Sequence, residues 1–213
     1  MTDMNAAHGA NASDDRDSSD ERPLSIEAGP AAADPTFPGL LAQTVDLAAV
    51  RHNIGAIKKA SGAQRLMAVV KANAYGHGAV RVAQRLQRAG CQWVAVNCYD
   101  EAEELRAAGV TMNILLLGPQ SANIAVDLAT LGVTQAVGSI EYARELNRFL
   151  AGTGLRLDAH MKLETGMGRT GFDVHDDSHL DEMIEALSLP HLNFTGVFTH
   201  FAVSDENGDP YTQ

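Results

Sequence analysis

The stretch LMAVVKANAYGHG occupies residues 66–78 and decides how the rest of the chain is interpreted. Residues 66–70 form an apolar run with the length and composition of a buried strand. Lys71 follows directly, and the glycines at 76 and 78 predict a tight turn after it. A strand that delivers a lysine to its carboxyl end can present the amine to an aldehyde cofactor, first as a Schiff-base partner and later as a base. For a lone lysine, a solvated residue that simply ends a strand is the alternative.

Beyond this stretch, short apolar segments alternate with amphipathic ones. An additional helix is predicted before the first strand, because apolar residues recur at helical spacing from Leu47 to Ile57 and Asp46 is suited to be its N-cap. Strands that are apolar on both faces and alternate with helices predict a parallel sheet. The predicted strands are 66–71, 93–97, 113–118, 134–138, 156–163 and 193–200, and the predicted helices between them are 79–89, 100–108, 122–131, 140–151 and 179–188.

This order of elements favours an α/β fold of the (β/α)8 TIM-type barrel class over an open doubly wound sheet. Active sites of such barrels lie at the carboxyl ends of the strands, which is where Lys71 falls. A G-x-G-x-x-G phosphate turn after the first strand is absent. A complete barrel has eight strands and about 250 residues. The expected barrel is therefore incomplete, with about six of eight strands and two exposed edges.

The amino-terminal segment differs in composition from the rest. Residues 1–38 contain eight acidic and two basic residues and are rich in Ala, Asp, Ser, Gly and Pro. Such a segment buries too little apolar surface to offset its ordering entropy. Residues 1–40 are therefore predicted to be a disordered, acidic and Ala-rich tail, and residues 41–213 to be the folded domain.

Charge and apolar content exclude several classes of function. The formal net charge is −11 and no basic stripe is present, so no nucleic-acid partner is expected. No apolar run approaches membrane-spanning length and the amino terminus lacks a targeting signal, so no membrane partner is expected. Cys91 and Cys98 form neither a disulfide framework nor a metal knuckle, which predicts reduced thiols and a cytoplasmic location.

A second group of candidate residues follows the fifth predicted strand, in the segment KLETGMGRTG at 162–171. Its three glycines between 166 and 171 allow a close backbone approach to a ligand. Arg169 can hold a carboxylate or a phenolate oxygen with its forked donors. A glycine-rich loop with a solvated arginine is the alternative for this segment taken alone.

His200 ends the sixth predicted strand, in the segment FTHFAVSDE at 198–206. An imidazole at that position can stack on an aromatic cofactor ring or bond one of its substituents. His175 and His179 have metal-ligand spacing, but they lie in a polar loop and lack the glutamate of H-E-x-x-H. No metal site is therefore predicted there.

These three segments resemble the motifs of the alanine racemase family, in the family's order. The first resembles the lysine motif that carries pyridoxal 5'-phosphate. The second resembles K-x-D-T-G-M-G-R-x-G, with Glu164 in place of the more usual aspartate, and the third resembles the segment whose histidine packs against the pyridoxal ring. The resemblance implies that Lys71 binds the cofactor, Tyr75 contacts its phosphate, and Arg169 contacts the substrate and the phenolic oxygen. It also implies that Lys162 can carry a carbamate that orients Arg169.

The resemblance covers about residues 41–213, the amino-terminal barrel part, with no counterpart of the family's carboxyl-terminal β domain. The implied reaction interconverts L-alanine and D-alanine and supplies D-alanine for peptidoglycan. In the family, the second acid–base group is a tyrosine of that β domain, contributed across a homodimer interface. The 213-residue chain is therefore expected to racemise alanine negligibly by itself, and its own dimerisation is in doubt.

Two other interpretations remain at this stage. One is an amino-acid racemase of broad specificity with the same motifs. The other is a non-catalytic barrel, or a remnant, that binds pyridoxal phosphate without turning over a substrate.

Overall fold

The computed structural model describes residues 24–26 and 43–204. The chain divides into two compact units, Met1–Ala48 and Ala49–Gln213. In the first unit, strand β1 (Leu24–Ile26) pairs antiparallel with strand β2 (Gln43–Val45). Leu24–Ile26 lies within the predicted tail, and its apolar–polar–apolar order suits a strand once a partner is present. The other residues of the predicted tail, 1–23 and 27–40, lie outside the described residues.

The larger unit alternates strands with helices, as the sequence predicts. Helix α1 (Leu47–Ser61) comes before its first strand, and Asp46 caps that helix by accepting the Ala48 N–H at 2.8 Å. The strands are β3 (Met67–Val69), β4 (Trp93–Val96), β5 (Asn113–Leu116), β6 (Thr134–Val137), β7 (Leu157–Glu164), β8 (Phe172–Asp173) and β9 (Leu192–Phe198). The helices are α2 (Lys71–Tyr75), α3 (Ala79–Arg88), α4 (Tyr99–Ala107), α5 (Ala125–Leu131), α6 (Ile140–Leu150) and α7 (Asp177–Ser188), with a 3₁₀ turn at Ala122–Ile124 before α5.

The sheet has the strand order of a barrel. Its strands run β3-β4-β5-β6-β7-β9, every pair is parallel, and the short β8 pairs with the carboxyl end of β7. A doubly wound sheet would reverse its strand order at a switch point. No reversal occurs along this path, so the barrel prediction is confirmed over the doubly wound alternative.

Contacts between distant strands show that the sheet is curled. Strands β4 and β7 are three positions apart, which in a flat sheet separates them by about 14 Å. The rings of Trp93 on β4 and His160 on β7 nevertheless lie 5.1 Å apart. Phe198 on β9 packs against the cluster of Ala95, Leu115 and Ala136 from β4, β5 and β6. The inner faces of these strands therefore meet around one core.

Among the described residues, both edges of the curled sheet lack a further partner strand. Within the described residues, β3 pairs only with β4, and β9 only with β7. Val69 on β3 is 42% exposed and Val197 on β9 is 61% exposed, whereas Val94 and Leu116 on the central strands are fully buried. An incomplete barrel with two uncovered edges is therefore confirmed. None of the helices within residues 43–204 has the length and apolar character that a membrane crossing requires.

Candidate active site at the carboxyl ends of the strands

Lys71 begins a turn of unusual backbone conformation. The predicted strand 66–71 ends at Val69, and Lys71 lies beyond it in α2 rather than in the strand. The four residues after it have φ of 52–53°, so this turn is left-handed; they are Ala72, Asn73, Ala74 and Tyr75. The left-handed conformation costs about 1–2 kcal/mol for each residue that carries a Cβ. The sequence predicted a glycine turn here, but non-glycine residues form most of it.

Local hydrogen bonds hold the far end of this turn. Gly78 donates its N–H to the Asn73 carbonyl at 2.9 Å, and the Asn73 side-chain oxygen accepts the Ala79 N–H at 2.8 Å, at the start of α3. The near end is held by a residue from another part of the chain. Glu101 on α4 accepts the Ala72 N–H at 2.6 Å with one oxygen and the Asn97 N–H at 2.6 Å with the other.

A second loop with a carboxylate at its centre follows β7. Glu164 accepts the Gly166 N–H at 2.6 Å and the Arg169 N–H at 3.0 Å. Backbone hydrogen bonds from Arg169, Gly168, Gly166 and Met167 lower the pKa of the Glu164 carboxyl to about 2, against the partial opposition of desolvation. The glutamate that replaces the more usual aspartate is therefore the residue around which the glycine loop folds.

We expect the Glu164 carboxylate to stabilise the fold in a pH-dependent way. Its folded pKa of about 2 lies below the ordinary value of 4.5, so its contribution is present above pH 4.5 and is lost as the pH falls toward 2. In urea unfolding, Glu164→Gln should lower the unfolding midpoint relative to the unmodified chain above pH 4.5, and this gap should shrink toward pH 2.

The matched control for this prediction is Glu104→Gln. Glu104 is an exposed glutamate on α4, and its removal changes the net charge by the same amount. A gap between Glu164→Gln and the unmodified chain that stays constant from pH 6 to pH 2.5 would contradict the role of the carboxylate.

Lys162 is buried inside the mouth of the barrel. Its side chain is 8% exposed, its Nζ donates to the Leu163 carbonyl at 2.7 Å, and it lies 5.6 Å from the ring centre of Phe198. Desolvation lowers the pKa of this amine, the Glu164 carboxylate raises it, and the positive charge of Arg169 lowers it. The net shift is downward, which favours the neutral amine.

A cavity of about 350 Å³ adjoins Lys162 at this end of the sheet. Its lining comes from the segments that follow β5 and β6 and from the glycine loop, and includes Pro119, Ser139, Tyr142, Thr170 and Gly171. The volume lies in the range of small-molecule sites, about 300–1,000 Å³. The cavity therefore has a size and a position suited to a small ligand.

The end of β9 is tied to the glycine loop. The hydroxyls of Thr199 and Thr165 lie 2.7 Å apart, and Thr199 also donates to the Leu163 carbonyl at 3.0 Å. His200 follows Thr199, just beyond the end of β9, and is exposed, as is Arg169 in the loop. The segments that carry Lys162, Arg169 and His200 are therefore physically joined.

Lys71 and Tyr75 stand at the other side of this mouth, after the edge strand β3. Lys71 is half-buried and Tyr75 is 60% exposed. Their side chains, like that of His200, make no hydrogen bond or ion pair with the residues that the structure describes. The predicted site residues thus lie at the same end of the sheet, where the strands have their carboxyl ends. Hydrogen bonds join the segments that follow β7 and β9, but they do not involve the side chain of Lys71.

Three residues whose side chains make hydrogen bonds at this end of the sheet were not predicted from the sequence. Nothing in the sequence marks Glu101 as an acceptor for the backbone N–H groups of both Ala72 and Asn97. Gln120 accepts the Tyr99 N–H and donates its own backbone N–H to the Tyr142 hydroxyl, linking three strand ends. His179, which the sequence placed in a polar loop, lies in the first turn of α7 and accepts the Asp173 N–H at 2.6 Å.

The fold and this face define a class: a (β/α) barrel domain with an amine, a guanidinium and an imidazole at the carboxyl ends of its strands. The family model described as "Alanine racemase, N-terminal domain" matches residues 45–213. The chain belongs to the alanine racemase family.

The curated relatives and solved structures agree with this assignment. The chain is 40% identical over 168 residues to the alanine racemase of Clostridium perfringens and 44% identical over 169 residues to that of Symbiobacterium thermophilum, with 79% of this chain covered in each case. These alignments cover 43% and 44% of the two relatives, so the chain spans less than half of their length.

Two solved structures have folds similar to this one. The alanine racemase of Clostridium difficile in complex with cycloserine has a TM-score of 0.69 and 35% identity, covering 74% of this chain and 43% of that one. The histidine racemase of Leuconostoc mesenteroides has a TM-score of 0.70 and 33% identity, covering 78% of this chain and 44% of that one.

Proposed function

We propose that this chain is the cofactor-bearing part of a pyridoxal 5'-phosphate-dependent alanine racemase. The observation that carries the proposal is the placement of Lys71 on a strained turn at the mouth of the barrel, where the segments bearing Lys162, Arg169 and His200 also lie. Strain of this kind persists only where the surrounding structure holds it, and it concentrates at functional sites.

The residues at this face fit the chemistry of the cofactor. A lysine amine reacts with an aldehyde, a guanidinium pairs with a phenolate or carboxylate oxygen, and an imidazole stacks on or bonds an aromatic ring. Lys71, Arg169 and His200 supply these three groups. The cofactor, when bound, would delocalise the electrons left on the α-carbon after its proton is removed.

Lys71 has two roles in this proposal. Its Nζ would hold the cofactor covalently, and its amine would remove or return the α-proton of the bound substrate on the D-face. Tyr75 offers an exposed hydroxyl to the cofactor phosphate. A second acid–base group on the opposite face is needed to complete racemisation, and we assign it to a part of the protein outside this chain.

Arg169 and Lys162 form the substrate side of the site. Arg169 would hold the substrate carboxylate with its forked donors. The lowered pKa of Lys162 leaves more of its amine neutral, which is the form that reacts with carbon dioxide to give a carbamate. A carbamate there would place a negative charge close to Arg169 and orient its guanidinium.

Alanine is the proposed substrate, because the curated relatives are alanine racemases. One similar structure is a histidine racemase, which favours broad specificity as the second candidate. A panel of L-amino acids, assayed with the protein that contains this chain, separates the two. We expect kcat/KM for alanine to exceed that for any other amino acid by at least about tenfold; comparable values for several amino acids would support the second candidate.

We also propose that the protein acts in the cytoplasm and that the complete enzyme is a homodimer. Cys91 and Cys98 are both free thiols, as expected in a reducing compartment. The dimer follows from the family resemblance, in which a partner subunit supplies the second acid–base group.

A further inference from the structure

We propose that Glu101 is a positioning residue that holds the backbone of the lysine turn against the neighbouring strand. Its carboxylate bridges the ends of β3 and β4, accepting the Ala72 N–H with Oε1 and the Asn97 N–H with Oε2, both at 2.6 Å. Ala72 directly follows Lys71, and Asn97 directly follows the last residue of β4. The inference rests on the proposed role of Lys71 and adds the residue that fixes where its backbone lies.

The site requires a carboxylate because it must satisfy two donors at once. The paired residues of β3 and β4 end at Val69 and Ala95, and one further bond runs from the Val70 N–H to the Ala95 carbonyl at 2.8 Å. Ala72 and Asn97 lie beyond this ladder, and each presents an N–H. An ionised carboxylate has two acceptor oxygens and no donor, whereas a glutamine amide has one acceptor and one donor group. Glutamine therefore has the shape of Glu101, but its side-chain NH₂ would face one of the two backbone N–H groups and could not accept a hydrogen bond from it.

The lysine turn needs a hydrogen bond from outside the turn, because the left-handed conformation is unfavourable for residues 72–75. Ala72, the first of four consecutive left-handed residues, is the one that Glu101 binds. Nothing in the side chain of alanine favours this conformation. Glu101 also lies in the first turn of α4, where the helix dipole favours a negative side chain. We call the two hydrogen bonds that Glu101 accepts the clamp. The clamp connects the strained turn to α4, a helix that the negative charge of Glu101 itself stabilises.

The test compares Glu101→Gln with Glu104→Gln, a control on the same helix that removes an equal charge at an exposed position. Each protein is incubated with pyridoxal 5'-phosphate and reduced with borohydride, and the pyridoxyl label is mapped to individual lysines. We expect Glu101→Gln to lower the label on Lys71 by about tenfold, as for loss of a hydrogen bond to a charged acceptor, and to leave the label on the exposed Lys58 and Lys59 unchanged. An undiminished Lys71 label in Glu101→Gln would overturn the proposal.

A rescue experiment separates positioning from a general loss of stability. Adding Ala72→Gly to Glu101→Gln should restore part of the Lys71 label, because glycine adopts the left-handed conformation without the Cβ penalty. A destabilised fold would not regain the label through one more glycine, so absence of rescue would count against the clamp.

Hydrogen exchange tests the clamp without any cofactor. The peptide covering residues 71–78 should exchange about tenfold faster in Glu101→Gln than in Glu104→Gln. Equal exchange would overturn the inference even if Lys71 is labelled. If the unmodified protein takes no label on Lys71, the proposed function fails, whereas faster exchange in Glu101→Gln would still support the clamp.

Discussion

Replacing Lys71 with alanine is expected to lower alanine racemisation by on the order of 10⁴-fold in the protein that contains this chain. The substitution removes the covalent attachment of the cofactor and the base on one face, and a single acid–base group contributes about 10²–10⁴-fold. The readout is the rate at which L-alanine is converted to D-alanine, with cofactor in excess. Lys71 lies outside the buried core, so the fold should survive the change.

Lys59→Ala is the matched control for Lys71→Ala. Lys59 is an exposed lysine in the last turn of α1, and its removal should leave the rate within about twofold. A Lys71→Ala protein that retains a tenth or more of the activity would contradict the assignment of Lys71.

Gly171→Ala is expected to destabilise the larger unit by about 2–5 kcal/mol. A Cβ at this position would lie 2.6 Å from the Leu163 carbonyl carbon and 2.7 Å from the Glu164 nitrogen, which are backbone atoms of β7. The residue also has φ of +128°, where a side chain is strained. Overpacking costs about 1–3 kcal/mol, and the strained backbone adds about 1–2 kcal/mol. Urea unfolding followed by circular dichroism measures the loss.

Gly154→Ala controls for the backbone part of this effect. Gly154 has φ of +75°, but a Cβ there would meet nothing within 4 Å, so only the backbone cost of about 1–2 kcal/mol is expected. Equal losses in the two variants would show that the close approach of the glycine loop to β7 is not needed for stability.

The order and approximate extent of the strands followed from the sequence, because the apolar runs of the central strands are buried on both faces. Predicted strand 134–138 is observed as Thr134–Val137, and all four of its residues are buried. Gly90, Gly109 and Gly132 all adopt positive φ just after helices, a position at which glycine is favoured. Local patterns of this kind are visible in a single sequence because the physical cause lies within a few residues.

The lysine turn could not be predicted in the same way. Alanine and tyrosine disfavour the left-handed conformation, so residues 72–75 carry no local signal for it. The hydrogen bond that holds its near end comes from Glu101, which is 29 positions from Ala72. The strand β1 and the short β8 were also missed, since each consists of two or three residues and forms only against a partner.

The motifs predicted candidate residues after the strands, and the structure has them near the carboxyl ends of β3, β7 and β9, but the motifs did not define what supports them. His160 had no recognisable pattern, yet it stacks against Trp93 in the barrel interior, where burial lowers its pKa and Asp158 raises it. Gly196 leaves the room for this ring, because a Cβ there would lie 2.7 Å from the His160 Nε2. Such packing depends on the curl of the sheet, which a linear pattern does not encode.

We propose that Lys71 is the residue that binds pyridoxal 5'-phosphate covalently. The most direct measurement is borohydride reduction of the unmodified protein after incubation with the cofactor, followed by peptide mapping of the pyridoxyl group. We expect one dominant labelled peptide, with the label on Lys71. A dominant label on Lys58, Lys59 or Lys162 would contradict it.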